Sequence, residues 1–520
     1  MSRQSGFHVA AAAAALVVVV AGCAVPGCAS DEAISDLRKP GSTNVSQGGA
    51  QDFAEFRAIV DEGGVPAPGL LDPVGFFAEH AVDLPPADCG QDLCVHSMLA
   101  VAPRFDGSNW TMAFVAMNTP LQPEDLERPP LHLVVALEAT GWMSTMQASL
   151  QAGLEGIVEQ LRPEDRLSLV AYGAHAETVL AASPPDAAAA VAALEGIPQG
   201  TPVDLYAGLA AAQRAFDATP ELEARRLLLV STGAANTGII DPERVVGLGE
   251  AMARSGIALG VVGVTQEYDA RIPAAIGSLG AGSYSYAIDG AELERVLRLE
   301  GETTLYPLAT DFRLRLTPAE GYRVGRLYGV PRLAADADGA TLDLPALFIG
   351  QRSGAKDVGG GRRGGGAGIF IELRADPDTD VGAGAPAYQM GAEWKTSGGG
   401  DDAQATTVTN ELAPGDNPEA MWPSFSHPDL GKPFMMLNMY LALKTAVELY
   451  AEGDCARAMG VFDMMQVSVS GWQGEYDDPD IDADNEVLFK LGQNITSECQ
   501  KKGTVTPKRP EAADSGCMML

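Results

Sequence analysis

Between residues 131 and 300, short apolar runs alternate with longer amphipathic stretches. The runs at 131–137, 167–172, 227–231, 257–264 and 284–288 are almost continuous in Val, Leu, Ile and Ala, as strands buried on both faces are. Residues 146–161, 206–218, 242–254 and 291–299 carry apolar positions at helical spacing. Pro163 closes the first of these and Asp241-Pro242 opens the third. This alternation predicts an α/β fold with a doubly wound, mostly parallel, Rossmann-like sheet. On either side the period changes to two. Residues 95–117, Phe312-Arg313-Leu314-Arg315-Leu316 and residues 368–373 alternate, with hairpin tips at 336–339, 358–368 and 398–402, which predicts a flanking β-rich domain. Helical spacing returns at 433–450, 456–465 and 485–500, giving a C-terminal helical segment. Its methionines, among them Met435, Met436, Met464 and Met465, read as packing residues. Residues 53–80 read as a helix-and-turn segment.

The first 22 residues set the compartment. Arg3 precedes an apolar run at 9–20, too short to span a bilayer, and Ala21-Gly22 are small, so the three parts of an export signal are present. Val20-Ala21-Gly22-Cys23 resembles the lipobox of bacterial lipoproteins, with Val25-Pro26-Gly27-Cys28 a poorer match. The resemblance implies cleavage before Cys23, a lipid on that cysteine, and a cell-envelope protein held to a membrane. Ala24 after the cysteine favours the outer membrane. Residues 23–50 are rich in Ser, Gly, Asp and Pro without apolar period, which predicts a flexible tether. The division expected is signal peptide 1–22, tether 23–50, N-terminal segment and strands 51–130, α/β domain 131–300, β-rich domain 301–415, helical segment 416–503 and disordered tail 504–520. A length of 520 residues suits about three or four domains. The formal net charge of −34 excludes nucleic acid as a partner, since no compensating basic patch is visible.

Of seven cysteines, six remain after acylation of Cys23. An oxidising envelope favours disulfides, and Cys89 with Cys94, and Cys455 with Cys499, are the candidate pairs. His80 and His96 bracket Cys89 and Cys94, so a zinc site is the competing reading, although two-residue cysteine spacing is absent. Cys517-Met518-Met519-Leu520 imitates a prenylation box, in conflict with bacterial export.

Three separated segments carry a stronger resemblance. The strand Leu133-Val134-Val135-Ala136-Leu137 runs into Glu138-Ala139-Thr140-Gly141-Trp142-Met143. A loop Gly200-Thr201-Pro202-Val203-Asp204 opens a helix at Leu205-Tyr206-Ala207-Gly208-Leu209. A further strand ends in Ser231-Thr232-Gly233-Ala234-Ala235-Asn236. Taken in this order over about 170 residues, with Asp165-Arg166-Leu167 between them, they resemble the von Willebrand factor A (vWA) family. That family places its ligand site at the C-terminal ends of the parallel strands, where open α/β sheets generally bind. Its three loops form a metal-ion-dependent adhesion site in which hydroxyls and carboxylates hold Mg²⁺. Here the family's first Asp is Glu138, its first Ser is Thr140, its second Ser is Trp142 and the third-loop Asp is Thr232. Thr201 fills the remaining position when counted from Gly200; counting back from Leu209 puts Val203 and Asp204 there. Magnesium requires near-octahedral oxygen geometry, so the resemblance implies a degenerate site with Glu138, Thr140, Thr201 and Thr232 as residual ligands. No cofactor is expected, with Mg²⁺ as the alternative. Trp142 reads either as an exposed anchor for a protein partner or as core over an emptied site, and Asp204 as a second partner contact. The resemblance extends to residues 53–77, and implies that strands before and after the vWA segment form one β unit.

The expected function is a lipid-anchored envelope protein that binds another protein, of identity unknown. An Mg²⁺-dependent adhesion protein is one alternative. An envelope hydrolase is another, disfavoured because His-Glu-x-x-His, Gly-x-Ser-x-Gly and Gly-Lys-Ser/Thr are all missing. His132 lies within a strand and reads as a core group. The run at 359–366, rich in Gly, reads as a hairpin loop and not a phosphate loop. The acidic run at 475–486 reads as a solvated interhelical loop that caps the next helix, with weak Ca²⁺ binding as the competing reading.

Overall fold

The computed structural model describes residues 43–510, apart from 48, 51–52, 107–108, 123–124, 127, 266–270, 281, 304, 306, 330–332, 337–338, 351–367, 376–385, 397–402, 412–423, 426–429, 475–477 and 504–505. Cys23, the export signal, the Gly-rich run at 359–366 and the terminal cysteine tail lie outside the described residues.

The chain opens with β1 (Thr43–Gln47) and β2 (Gly49–Ala50), followed by α1 (Ala54–Asp61), α2 (Pro73–Ala78), β3 (Cys94–Pro103) and β4 (Asn109–Thr119). The tether expected to reach residue 50 therefore ends sooner. Val45 is fully buried, and β1 pairs with two strands at once.

Next come β5 (Leu131–Glu138), α3 (Trp142–Thr145), α4 (Gln147–Glu159), β6 (Arg166–Tyr172), β7 (Ala176–Ser183), α5 (Ala187–Leu194), α6 (Leu205–Ala215), β8 (Ala224–Ser231), α7 (Pro242–Arg254), β9 (Ile257–Val264), α8 (Arg271–Gly277), β10 (Ser283–Ala287) and α9 (Gly290–Thr303). These form a seven-stranded sheet of order β2-β10-β9-β8-β5-β6-β7, parallel throughout except for the antiparallel edge strand β7. Alternate residues of β5 supply both faces. Leu131, Leu133, Val135 and Leu137 join α4, α5 and α9, whereas Val134 and Ala136 join α6, α7 and α8. An all-apolar strand and one-sided helices are thus the same fact seen from two layers. Asp165 fixes the start of β5 by accepting from Leu131 N (2.8 Å) and from Arg128 Nη1 (2.7 Å).

The chain then adds β11 (Ala309–Pro318), β12 (Tyr322–Tyr328), β13 (Leu333–Asp336), β14 (Gly339–Ile349), β15 (Ile369–Ala375), β16 (Pro386–Thr396), β17 (Ala403–Glu411) and β18 (Ser424–Phe425). With β1, β3 and β4 they make an antiparallel sheet whose main path is β12-β15-β4-β1-β14-β11-β16-β17. Strands on either side of the α/β insertion pair directly, as Ile369↔Val115 and Val45↔Ile349. The inner face of this sheet holds Leu99, Val115, Phe312, Leu342, Ile371 and Trp394 in one core.

Met98, Phe114 and Phe370, on the other face, meet the last helices, α10 (Gly431–Ala451), α11 (Cys455–Gln473) and α12 (Pro479–Lys501), together with α1 and α2. The 51–130 and 416–503 segments are thus joined in one helical layer. From Pro479 on, the acidic run is helix and not a loop. Asp478 caps α12 as expected, but α12 begins at Pro479, and Asp480 and Asp484 are buried at 2% and 3% exposure. Part of the expected disordered tail is also placed: Lys508 N donates to Ala456 O at 2.8 Å, and Arg509 Nη2 to Asp106 O at 2.8 Å. Both disulfides are formed, Cys89–Cys94 and Cys455–Cys499, with Cα atoms 5.8 Å and 5.5 Å apart.

A buried charged knot seats the insertion. Arg226, near the start of β8, donates to Ser283 Oγ (3.0 Å), lies 3.7 Å from Glu300 Oε2 and stacks over the Phe348 ring of β14 at 5.8 Å. The opposite end of the α/β sheet, where the parallel strands finish, is the one that carries the loops.

Candidate functional site

Three loops meet at the C-terminal rim of the parallel sheet. Ala139 N donates to Tyr172 O (2.6 Å), Gly200 N to Ala139 O (3.0 Å) and Asp204 N to Gly173 O (2.8 Å). Asn236 clips the third loop to the second: its Oδ1 accepts from Val203 N (2.6 Å), and its own N donates to Val203 O (3.1 Å). Close approach of α6 to the sheet depends on Gly208, where a methyl group would land 2.5 Å from the Tyr172 ring.

At the centre lies Glu138, the last residue of β5, 1% exposed. Its carboxylate accepts four hydrogen bonds. Oε1 receives Thr232 Oγ1 (2.7 Å) and Thr140 Oγ1 (3.1 Å); Oε2 receives Thr232 N (2.8 Å) and Ser231 Oγ (2.9 Å). The donor hydroxyls are occupied in their turn, Ser231 Oγ accepting from Gly233 N (3.0 Å) and Thr232 Oγ1 from Ala234 N (3.4 Å). The extra methylene of Glu over Asp carries the carboxylate into the space between two strand ends, where the donors enclose it.

The other expected site residues lie as follows. Thr201 is exposed on the second loop, and Val203, two residues on, is buried and bonded to Asn236. Asp204 is the N-cap of α6, accepting from Ala207 N at 2.8 Å. Its other oxygen sits over Gly238, where φ is +68° and a methyl group would land 2.0 Å from Oδ2. Asp204 is thus a helix cap half-buried at the rim. Trp142 is not an exposed anchor. It is 5% exposed, belongs to the same core cluster as Leu150, Leu154 and Val296, and its buried Nε1 has no hydrogen-bond partner among the described residues. Two residues of the cluster escaped the sequence reading, Ser231 and Asn236. Their signal was a run of hydroxyl, glycine and amide residues directly after an apolar strand.

Gly141, Ser144, Gln199, Thr201, Asn236 and Ile240 are exposed on these loops, and Asp241, next to Ile240, is exposed as well. Ile240 is 54% exposed, one of the few large apolar side chains so placed. No group of three or more His, Cys, Asp or Glu residues able to hold a metal occurs among the described residues.

His132 sits elsewhere, inside β5. Its Nε2 meets Ser168 Oγ at 2.9 Å and its Nδ1 meets Thr219 Oγ1 at 2.7 Å, while burial, assisted by the nearby Arg166, lowers its pKa to about 4. The ring is fully buried, so this is the core group expected of it.

No known family profile matches the chain. It is 27% identical over 195 residues to the uncharacterized protein YfbK of Escherichia coli (strain K12), a match covering 36% of this chain and 34% of that protein. The chain therefore spans about a third of the length of the curated relative it matches. Among solved structures it is similar to a von Willebrand factor type A protein from Catenulispora acidiphila, with a TM-score of 0.46 and 16% identity over 72% of this chain and 87% of that one. It is also similar to the ArnB paralog VWA2 from Sulfolobus acidocaldarius, with a TM-score of 0.44 and 12% identity over 78% and 98%.

Proposed function

We propose that this protein is a vWA-type envelope protein, anchored through a lipid on Cys23, that binds another protein at the rim of its parallel sheet without a bridging metal ion. The observation that carries this reading is the enclosure of Glu138 by four donors. A hard cation needs several oxygen lone pairs turned toward it, and dehydrates only when carboxylates reward it. Glu138 is the one carboxylate in the cluster among the described residues, both its oxygens are taken, and the Ser231 and Thr232 hydroxyls accept main-chain N–H groups. These residues do not fit Mg²⁺. An exposed large apolar side chain, Ile240, beside glycine- and hydroxyl-bearing loops suits a direct protein contact.

The proposed role is binding and not catalysis. His132 and Ser168 are within hydrogen-bond distance, as a base and nucleophile must be, but both are fully buried within the sheet and Thr219 holds the second ring nitrogen. The test is a photo-crosslinking residue placed at Gln199, compared with one at Glu223 on the opposite end of the sheet, in intact membranes. The same adduct should form at Gln199 with and without EDTA, and should be absent at Glu223. Loss of the adduct in EDTA, or saturable Mg²⁺ binding by calorimetry on the purified protein, overturns the reading.

A further inference from the structure

The densest set of buried charges lies far from the rim, where the N-terminal helices meet α12. His80 follows the end of α2, and its ring is 1% exposed. Nδ1 lies 2.9 Å from Phe76 O, and Nε2 lies 2.7 Å from Asp484 Oδ2. A carbonyl only accepts, so Nδ1 carries a proton, and the charge and hydrogen bond of Asp484 favour a second proton on Nε2.

The groups around it come from four elements. On α12 are Asp484, Asp480 and the cap Asp478. On α10, Lys432 Nζ lies 2.7 Å from both Asp478 Oδ2 and Asp480 Oδ2, and the Tyr440 ring lies 5.7 Å from that of Phe76. On α1, Arg57 pairs with Glu79, the residue before His80. At the start of α2, Asp72 caps the helix. Asp480 Oδ2 also accepts from Ala81 N at 3.1 Å. Three cations, Arg57, His80 and Lys432, thus face the four carboxylates Glu79, Asp478, Asp480 and Asp484. Loss of the His80 proton takes the cluster from −1 to −2 and turns a nitrogen lone pair toward a buried carboxylate.

We propose that the His80–Asp484 contact is a pH-gated latch that clamps the first half of α12 to α2 while the ring is protonated, and frees residues 480–488 when the proton leaves. The motion has defined limits. Lys490 Nζ binds Asp61 (2.8 Å), and Asn494 Nδ2 donates to Val60 O and Gly64 O (2.8 Å each), so α12 stays on α1 beyond that point. Cys499 is bonded to Cys455. Release uncovers Ile481, Val487 and Leu488, which are buried in the helical core.

The direction with pH follows from the surroundings. Burial alone disfavours the imidazolium, but the charge and hydrogen bond of Asp484 outweigh it and hold the His80 pKa above its ordinary value. A raised folded-state pKa gives stability that is complete below the unfolded value near 6.5 and is lost as pH rises through the folded one.

The experiment is hydrogen exchange on the full chain from pH 6 to pH 9, corrected for intrinsic exchange. Amides of 480–488 should exchange at least tenfold faster at the top of the range, while those of 491–499 keep their protection. In Asp484→Asn the step should move about one unit or more toward lower pH, and in His80→Phe exchange should be fast at every pH. Uniform behaviour of 480–488 and 491–499 in the wild-type chain overturns the latch whether or not the variants fold. So does a His80 ring that is neutral at pH 6 by NMR.

Discussion

Glu138 differs from aspartate by one methylene, and that methylene decides where its charge goes. The residue types of the cluster were legible in the sequence, and so was the convergence of their loops, because both follow from strand order and loop position. The side-chain outcome was not. Whether Trp142 faces solvent or core, and whether Thr201 or Val203 is the buried residue of the second loop, turns on a shift of one or two residues that spacing cannot fix. The enclosure has a measurable cost of removal. Glu138→Ala leaves the Ser231 hydroxyl and the Thr232 N–H and hydroxyl without their acceptor, and should destabilise the protein by about 3 kcal/mol or more in denaturant unfolding. Glu138→Gln keeps the shape and one oxygen, and the Thr140 and Thr232 hydroxyls can turn to accept from its amide, so about 1 kcal/mol is expected. His132 gives a second residue-level prediction. Its folded pKa of about 4 lies below the ordinary value of 6.5, so the unfolded chain binds more protons in that window and stability falls as pH drops from 6.5 toward 4. His132→Gln should flatten this part of the stability–pH curve. An unchanged slope would mean that other groups carry it.

Elements were read best where one periodicity ran long enough. The strands at the centre of the α/β sheet were expected within a few residues of β5, β6, β8, β9 and β10, because burial on both faces leaves continuous apolar runs. The misses have physical causes. The edge strand β7 has no fully buried residue and so no run to see, and α5 is nearly all alanine, which gives no polar face. The available signal for α5 was Asp186 after two prolines, and Asp186 does cap it, accepting from Ala189 N at 3.0 Å. The C-terminal helices were read correctly, but their clasp to α1 and α2 was not, since its partners lie some 400 residues apart. Cys455–Cys499 closes a separation of 44 residues and Cys89–Cys94 one of 5. Chain-entropy arguments give about 4 kcal/mol for the longer loop and about 2 kcal/mol for the shorter. Replacing Cys455 and Cys499 by Ala should therefore lower the unfolding midpoint clearly more than replacing Cys89 and Cys94, as read by guanidinium titration of the two double variants.

At the scale of the whole molecule the α/β unit is an insertion between β4 and β11, and the strands on its two sides have to find each other across it. The resemblance to vWA proteins implied this pairing; hydrophobic pattern alone could not, because a strand with one buried face states which side is inward and not which neighbour it takes. What joins the halves is β1, in a stretch whose composition read as tether. Thr43↔Thr119 and Asn44↔Asn118 set it beside β4, and Val45↔Ile349, Ser46↔Phe348 and Gln47↔Leu347 set it beside β14. Burial of Val45 is worth about 2 kcal/mol, and each ladder hydrogen bond lost from a buried position about 1 kcal/mol more. β1 lies between β4 and β14 on the main path of the sheet, so its loss exposes two edges at once, each lined by unpaired backbone groups. Chains begun at Thr43 and at Gly49 separate these contributions. The first should melt as the full-length protein does. The second should melt at a clearly lower temperature and tend to associate through the freed edges, which light scattering during the melt will report. Equal melting of the two would mean that β4 and β14 close on each other without the strand between them.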